Sequence, residues 1–241
     1  MTQSTYDIVN HLKHISSDKY KTNVIKLGIP EEDALGVPTS ELRKIARTLP
    51  KDKLFLYELW KTGYHECKLL TVLSLKPKEC TENEILALME EIDSWDLCDL
   101  FCKTILIKRD FDFYIHLWIQ SEELFKRRAA FTLIASKSTH AKLSDEEIAD
   151  YLKLIEQHSD DERLLVKKAA SWALRELGKI SYDAKERSIE TATALLQQPS
   201  KTQQWIAKEA LKELQTLVKV DGRSRLISNK SKMGKEVSNP K

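Results

Sequence analysis

The chain has 241 residues, of which 41% are hydrophobic and 32% charged, with a formal net charge of +2. That apolar content suffices for one large domain or two small ones and excludes a disordered polymer. No run approaches the length of a membrane span, and the opening Met1-Thr2-Gln3-Ser4-Thr5 lacks the basic and apolar regions of a secretory signal, so a soluble, intracellular, cytoplasmic protein with no membrane partner is expected.

Apolar positions recur at helical rather than alternating spacing almost throughout, with six glycines and six prolines to punctuate them. An all-α chain is therefore expected. Breaks fall at residues 28–38, at Pro50, at 77–81, around Ser121, and at 138–144, 159–161, 178–183 and 199–201. Thr39-x-x-Leu42, Thr81-x-x-Glu84 and Ser144-Asp145-Glu146-Glu147 read as helix starts, the last with capping-box spacing. Arg127-Arg128-Ala129-Ala130, Lys167-Lys168-Ala169-Ala170 and Ala207-Lys208-Glu209-Ala210 recur every forty residues, with a related unit at Glu66-Cys67-Lys68-Leu69-Leu70. That period belongs to HEAT-like or ARM-type repeats, in which antiparallel helix pairs stack into a superhelical solenoid and the second helix of each pair lines the concave side. Residues 1–218 are expected to form this single domain.

A net charge near zero argues at first sight against a nucleic-acid partner, but its distribution changes that. Residues 219–241 hold seven basic and two acidic residues, which leaves 1–218 at −3, so any basic surface on the folded part is a local patch. The segment 219–241 shows no apolar periodicity and reads as a basic, disordered tail. The recurring cations Arg127, Lys167 and Lys168 fall near the starts of inner helices, where unpaired N–H groups and the positive dipole end make a seat for phosphate. Repetition along a concave surface would track a phosphate backbone, although solvated charges are also common on such helices.

Ser94-Trp95-Asp96-Leu97-Cys98-Asp99 carries the most chemistry. Trp95 and Asp99 lie four residues apart, so on one helix they share a face, with Cys102 beside them, while Leu97, Leu100, Phe101, Thr104 and Ile105 fall opposite. An indole beside a carboxylate suits a flat, positively charged ligand. The four cysteines, Cys67, Cys80, Cys98 and Cys102, show no CxxC spacing and no histidine-rich partner motif, which argues against zinc and for reduced, partly buried thiols. Trp60, Trp118 and Trp205 read as core, and His65, His116 and His140 as isolated.

Leu35-Gly36-Val37-Pro38-Thr39-x-x-Leu42-Arg43, Ser94-Trp95-Asp96-x-x-Asp99, Lys126-Arg127-Arg128-Ala129-Ala130 and Val166-Lys167-Lys168-Ala169-Ala170-x-Trp172-x-Leu174-Arg175 together resemble the AlkD-type DNA alkylation-repair family. The resemblance covers roughly residues 20–215, in order. It implies a HEAT-like solenoid holding double-stranded DNA, with members that hydrolyse the N-glycosidic bond of cationic N3- and N7-alkylated purines without metal or organic cofactor. It matches Trp95 and Asp99 to the catalytic aromatic and carboxylate, Arg128 to the cleft arginine and Trp172 to a second lesion-facing tryptophan. Thr39 and Arg43 match DNA-backbone contacts, and Arg175 closes the last motif among the DNA-binding positions. The expected protein is a monomer.

Other roles stand beside these: Asp99 paired with Arg128 across a repeat interface, or Trp172 as a packing anchor. The chain also departs from the family pattern, with Ser94-Trp95 in place of a double tryptophan and Leu27 where a cleft tyrosine stands. Some relatives bind DNA without base excision, so a DNA glycosylase, a binder of distorted or branched DNA and a protein scaffold are the three functions to separate.

Overall fold

In the computed structural model, residues 4–238 are described, and they form fourteen α-helices with one short pair of strands. The chain divides into two compact units, residues 1–111 and 112–241, where the sequence suggests one domain over 1–218. In stacked helical repeats each element touches only its neighbours, so a boundary can fall between repeats without a linker to announce it.

The first unit holds α1 (Thr5–His14), α2 (Asp18–Lys26), α3 (Thr39–Thr48), α4 (Lys53–Trp60), α5 (His65–Ser74), α6 (Glu82–Glu90) and α7 (Trp95–Thr104), with 3-10 turns at Pro77–Glu79 and Leu106–Lys108. Alternate helices make its spine: α3 packs on α5, and α5 on α7. Because α5 is enclosed on both sides, nearly all of it is buried, from His65 to Val72.

The second unit holds α8 (Phe111–Trp118), α9 (Leu124–His140), α10 (Asp145–His158), α11 (Leu164–Gly178), α12 (Tyr182–Gln197) and α13 (Lys201–Leu214). Here α9 packs on α11 and α11 on α13. The forty-residue repeat maps onto these three helices, and its alanines Ala129, Ala130, Ala169, Ala170, Ala207 and Ala210 are all buried. Small side chains there let the backbones approach. Gly178 is the extreme case, since a Cβ would collide with the Leu214 side chain.

Sequence signals and caps agree at Thr81 and Ser144, each of which forms a reciprocal capping box with the glutamate three residues on. Thr39 differs. It is the first residue of α3, and the cap position is Pro38, which offers no side-chain hydrogen bond.

The expected disordered tail is folded over its described part. Strands β1 (Leu217–Val218) and β2 (Ile227–Ser228) pair antiparallel and a short helix, α14 (Lys232–Ser238), follows. Arg225 ion-pairs with Glu176 at 2.7 Å and the Leu226 N–H donates to the Lys179 carbonyl at 2.8 Å. Val220 and Leu226 are buried, and two apolar anchors within a hairpin leave no helical period to read. Residues 239–241 lie outside the described residues. No helix is long and apolar enough to cross a membrane, and no cluster of metal-binding side chains occurs, among the described residues.

Candidate nucleic-acid interface

The first turn of α5 organises the candidate site. Glu66, 2% exposed, accepts the backbone N–H groups of Leu35 at 2.9 Å, Gly36 at 2.7 Å and Val37 at 3.1 Å. Three consecutive amides on one carboxylate fix the loop before α3, and so the position of Thr39 and Arg43. Gly36 makes the loop possible. Its φ is +94°, and a Cβ would sit 2.8 Å from both the Lys21 Cβ and the Ser17 carbonyl. The Leu35-Gly36-Val37-Pro38-Thr39 motif is thus a shaped turn, closed by a carboxylate from the next repeat.

His65, the neighbour of Glu66, does the same for α7. Its Nε2 lies 2.9 Å from an Asp96 carboxylate oxygen and its Nδ1 3.4 Å from the Ser94 hydroxyl. Asp96 also accepts the Leu97 N–H at 2.9 Å. Burial by itself would raise the Asp96 carboxyl, but the His65 ring, the Ser94 hydroxyl and the Leu97 amide outweigh it and hold it below the usual aspartate range. The expectation that His65 is isolated is corrected: the two residues are 31 positions apart in sequence, and only stacking of α5 on α7 joins them.

Trp95 opens α7, and its indole N–H donates to the Leu27 carbonyl at 3.0 Å. Leu27 itself is 62% exposed, so this position supplies a carbonyl that orients the tryptophan and an aliphatic side chain in solvent. Asp99 follows one turn later, 9% exposed.

These elements enclose an open cleft of about 200 Å³ lined by Thr39 and Arg43 of α3, Leu69 of α5, and Trp95, Asp96, Asp99, Leu100 and Lys103 of α7. Four sequence-predicted residues, Thr39, Arg43, Trp95 and Asp99, therefore converge within one unit. The shared face of Trp95 and Asp99 holds, with an adjustment: it is centred nearer Lys103, so Leu100 belongs to the cleft while Cys102 is fully buried. All four cysteines are buried, and none of them forms a disulfide.

The second unit treats its predicted residues differently. Arg127 ion-pairs with Asp160 at 3.2 Å and Asp161 at 3.5 Å and donates to the His158 carbonyl at 3.2 Å. Arg175 pairs with Glu213 at 2.7 Å and donates to the Ser171 carbonyl. Burial would raise the Glu213 carboxyl, yet Lys179 and Arg175 hold it below its ordinary value. Both arginines are engaged by carboxylates of neighbouring elements. Arg128 is 6% exposed and donates to the Leu165 carbonyl at 2.6 Å. The Lys167 ammonium sits over the Trp205 ring, 5.2 Å from its centroid, so Trp205 is a half-buried partner rather than core, unlike the buried Trp60 and Trp118. Lys168 is exposed and Trp172 half-buried.

Sequence inspection missed Glu66, His65, Asp96 and Lys103. The available signal was the run His65-Glu66-x-Lys68 in a helix otherwise rich in apolar residues. Charged groups in a buried helix need partners elsewhere.

By its fold this is a HEAT-type helical-repeat protein, with an indole, two carboxylates and two cations gathered in one open cleft. The chain belongs to the DNA alkylation repair enzyme family, whose model matches residues 8–214. It is also similar to a solved structure described as "A new family of proteins related to the HEAT-like repeat DNA glycosylases with affinity for branched DNA structures", with 20% identity, a TM-score of 0.71, and coverage of 98% of this chain and 94% of that one. At that identity the likeness establishes a shared fold. No curated protein matches the chain.

Proposed function

We propose that the protein is a monofunctional DNA glycosylase that hydrolyses the N-glycosidic bond of cationic N3- or N7-alkylated purines in duplex DNA. The observation that carries this is the convergence of Thr39, Arg43, Trp95 and Asp99 on one cleft. An alkylated purine is already positively charged and leaves without much help from a general acid. The sugar gains oxocarbenium character as the bond breaks. Asp99 stabilises that cation and orients the attacking water, while the Trp95 ring favours the charged base over a neutral one. Asp96, engaged by His65, holds the start of α7 rather than the substrate. Thr39 and Arg43 hold the DNA backbone, and Lys168 remains open to phosphate. Arg128 and Trp172 take their roles, a phosphate contact and a second lesion-facing ring, from the family resemblance alone. The protein acts as a monomer, in the cytoplasm.

The test is release of methylated base from duplex DNA containing N7-methylguanine. The unaltered protein releases base and leaves the strand intact, since no lysine forms a Schiff base. Asp99→Asn slows release about 100-fold, equivalent to loss of about 3 kcal/mol of transition-state stabilisation. No release by either form rejects catalysis. A second reading is favoured by the branched-DNA affinity stated for the similar structure and by Leu27 in place of an aromatic wall: a non-catalytic protein that binds distorted or branched DNA. Tight binding of branched duplexes with no base release decides for it.

A further inference from the structure

Next to the cleft lies a second recess, of about 380 Å³, lined by Arg43, Ala46, Arg47, Lys51 and Leu73. Arg43 is common to both. Three of its five lining residues are cations and none is acidic. On α3, Thr39, Arg43 and Arg47 are spaced four residues apart, so they form one stripe that advances about 6 Å per step. Arg43 and Arg47 are exposed and have no ion-pair partner among the described residues. The contrast with Arg127, Arg163, Arg175, Arg187 and Arg225, each held by a carboxylate, is direct.

The recess lies at the C-terminal end of α3, where exposed carbonyls would repel an anion. Lys51 removes that obstacle: its ammonium donates to the Ala46 carbonyl, which also accepts from the Ser74 hydroxyl at 3.5 Å. One donor of the three on the ammonium covers the helix end, which leaves two for an anion in the recess that Lys51 lines.

We infer that Arg47 and Lys51 form a flanking phosphate site, which continues the DNA track from the Trp95–Asp99 cleft along α3 and seats the backbone of the same strand beyond the lesion. This rests on the DNA reading proposed above. An unpaired, acid-free cationic stripe continuous with the cleft is complementary to a polyanion of regular charge spacing.

The experiment measures affinity for a labelled N7-methylguanine duplex by fluorescence anisotropy between about 50 and 200 mM salt. For Arg47→Gln the slope of log K against log salt becomes shallower by about 1, and for Arg47→Gln with Lys51→Gln by about 2. Arg47→Lys retains the slope. Thermal melting by circular dichroism checks the fold; if the double variant is unfolded, Arg47→Gln alone decides. An unchanged slope for Arg47→Gln, alongside weakened binding by Arg43→Gln, overturns the flanking site and leaves the cleft reading intact. Competition by polyglutamate that depends on Arg47, with the DNA slope unaltered, assigns the recess to an acidic polypeptide and likewise overturns it. Absence of DNA binding by the unaltered protein overturns both.

Discussion

Replacing Glu66 by glutamine tests the claim that a buried carboxylate on α5 shapes the loop before α3. The side chain keeps its size and loses its charge and one acceptor. In the native protein one oxygen accepts from Gly36 at 2.7 Å and Val37 at 3.1 Å, and the other accepts from Leu35 at 2.9 Å. Glutamine can serve the first pair with its carbonyl, but its NH2 group then faces the Leu35 N–H, donor against donor. The change removes one charge-assisted hydrogen bond, a loss of about 1.5–3 kcal/mol, and leaves a donor facing another donor at a cost of about 1–3 kcal/mol. Relaxation of the loop recovers part of this, so a net destabilisation of about 3 kcal/mol is expected. In a unit of this size that lowers the melting temperature by more than about 10 °C. Urea unfolding gives the free energy, and amide exchange followed by mass spectrometry gives the location, with protection lost across residues 35–48. DNA binding weakens because Thr39 and Arg43 move with the loop. A change below about 1 kcal/mol, with the amides of Leu35, Gly36 and Val37 still protected, would refute the assignment.

Three further outcomes follow from single groups. Gly36→Ala puts a Cβ 2.8 Å from the Ser17 carbonyl at a φ of +94°, so it destabilises the first unit by about 2 kcal/mol or more in denaturant titration. Asp96 has a folded carboxyl pKa below the ordinary 3.8; its stabilisation is complete above the unfolded value and is lost as pH falls through the folded one, so Asp96→Asn flattens the acid limb of a stability profile measured from about pH 5 to 2. Burial pushes the Cys67 thiol up to about 11, so it stays unreactive toward an aromatic disulfide reagent at neutral pH until denaturant is added, and rapid reaction of the native protein contradicts its buried placement.

Much of this protein was legible along the chain. Helical periodicity announced the all-α fold, the forty-residue recurrence of paired small residues marked α9, α11 and α13, and the four-residue interval between Trp95 and Asp99 placed both on one face, because helix geometry converts spacing directly into direction. Local polarity likewise exposed the caps at Thr81 and Ser144. What tertiary packing alone decided was which charges are open. Arg127 and Arg175 have the same side chain as Arg43 and Arg47, yet the first two meet carboxylates some 33 and 38 residues away and the last two meet none. His65 and Glu66 show no function in isolation, since their partners arrive from neighbouring repeats. The segment 219–238 is tied down by Arg225 pairing with Glu176 of α11 and by the Leu226 N–H donating to the Lys179 carbonyl. Periodicity is a property of consecutive residues and survives in sequence, whereas pairing between residues about thirty positions apart exists only once the helices have stacked.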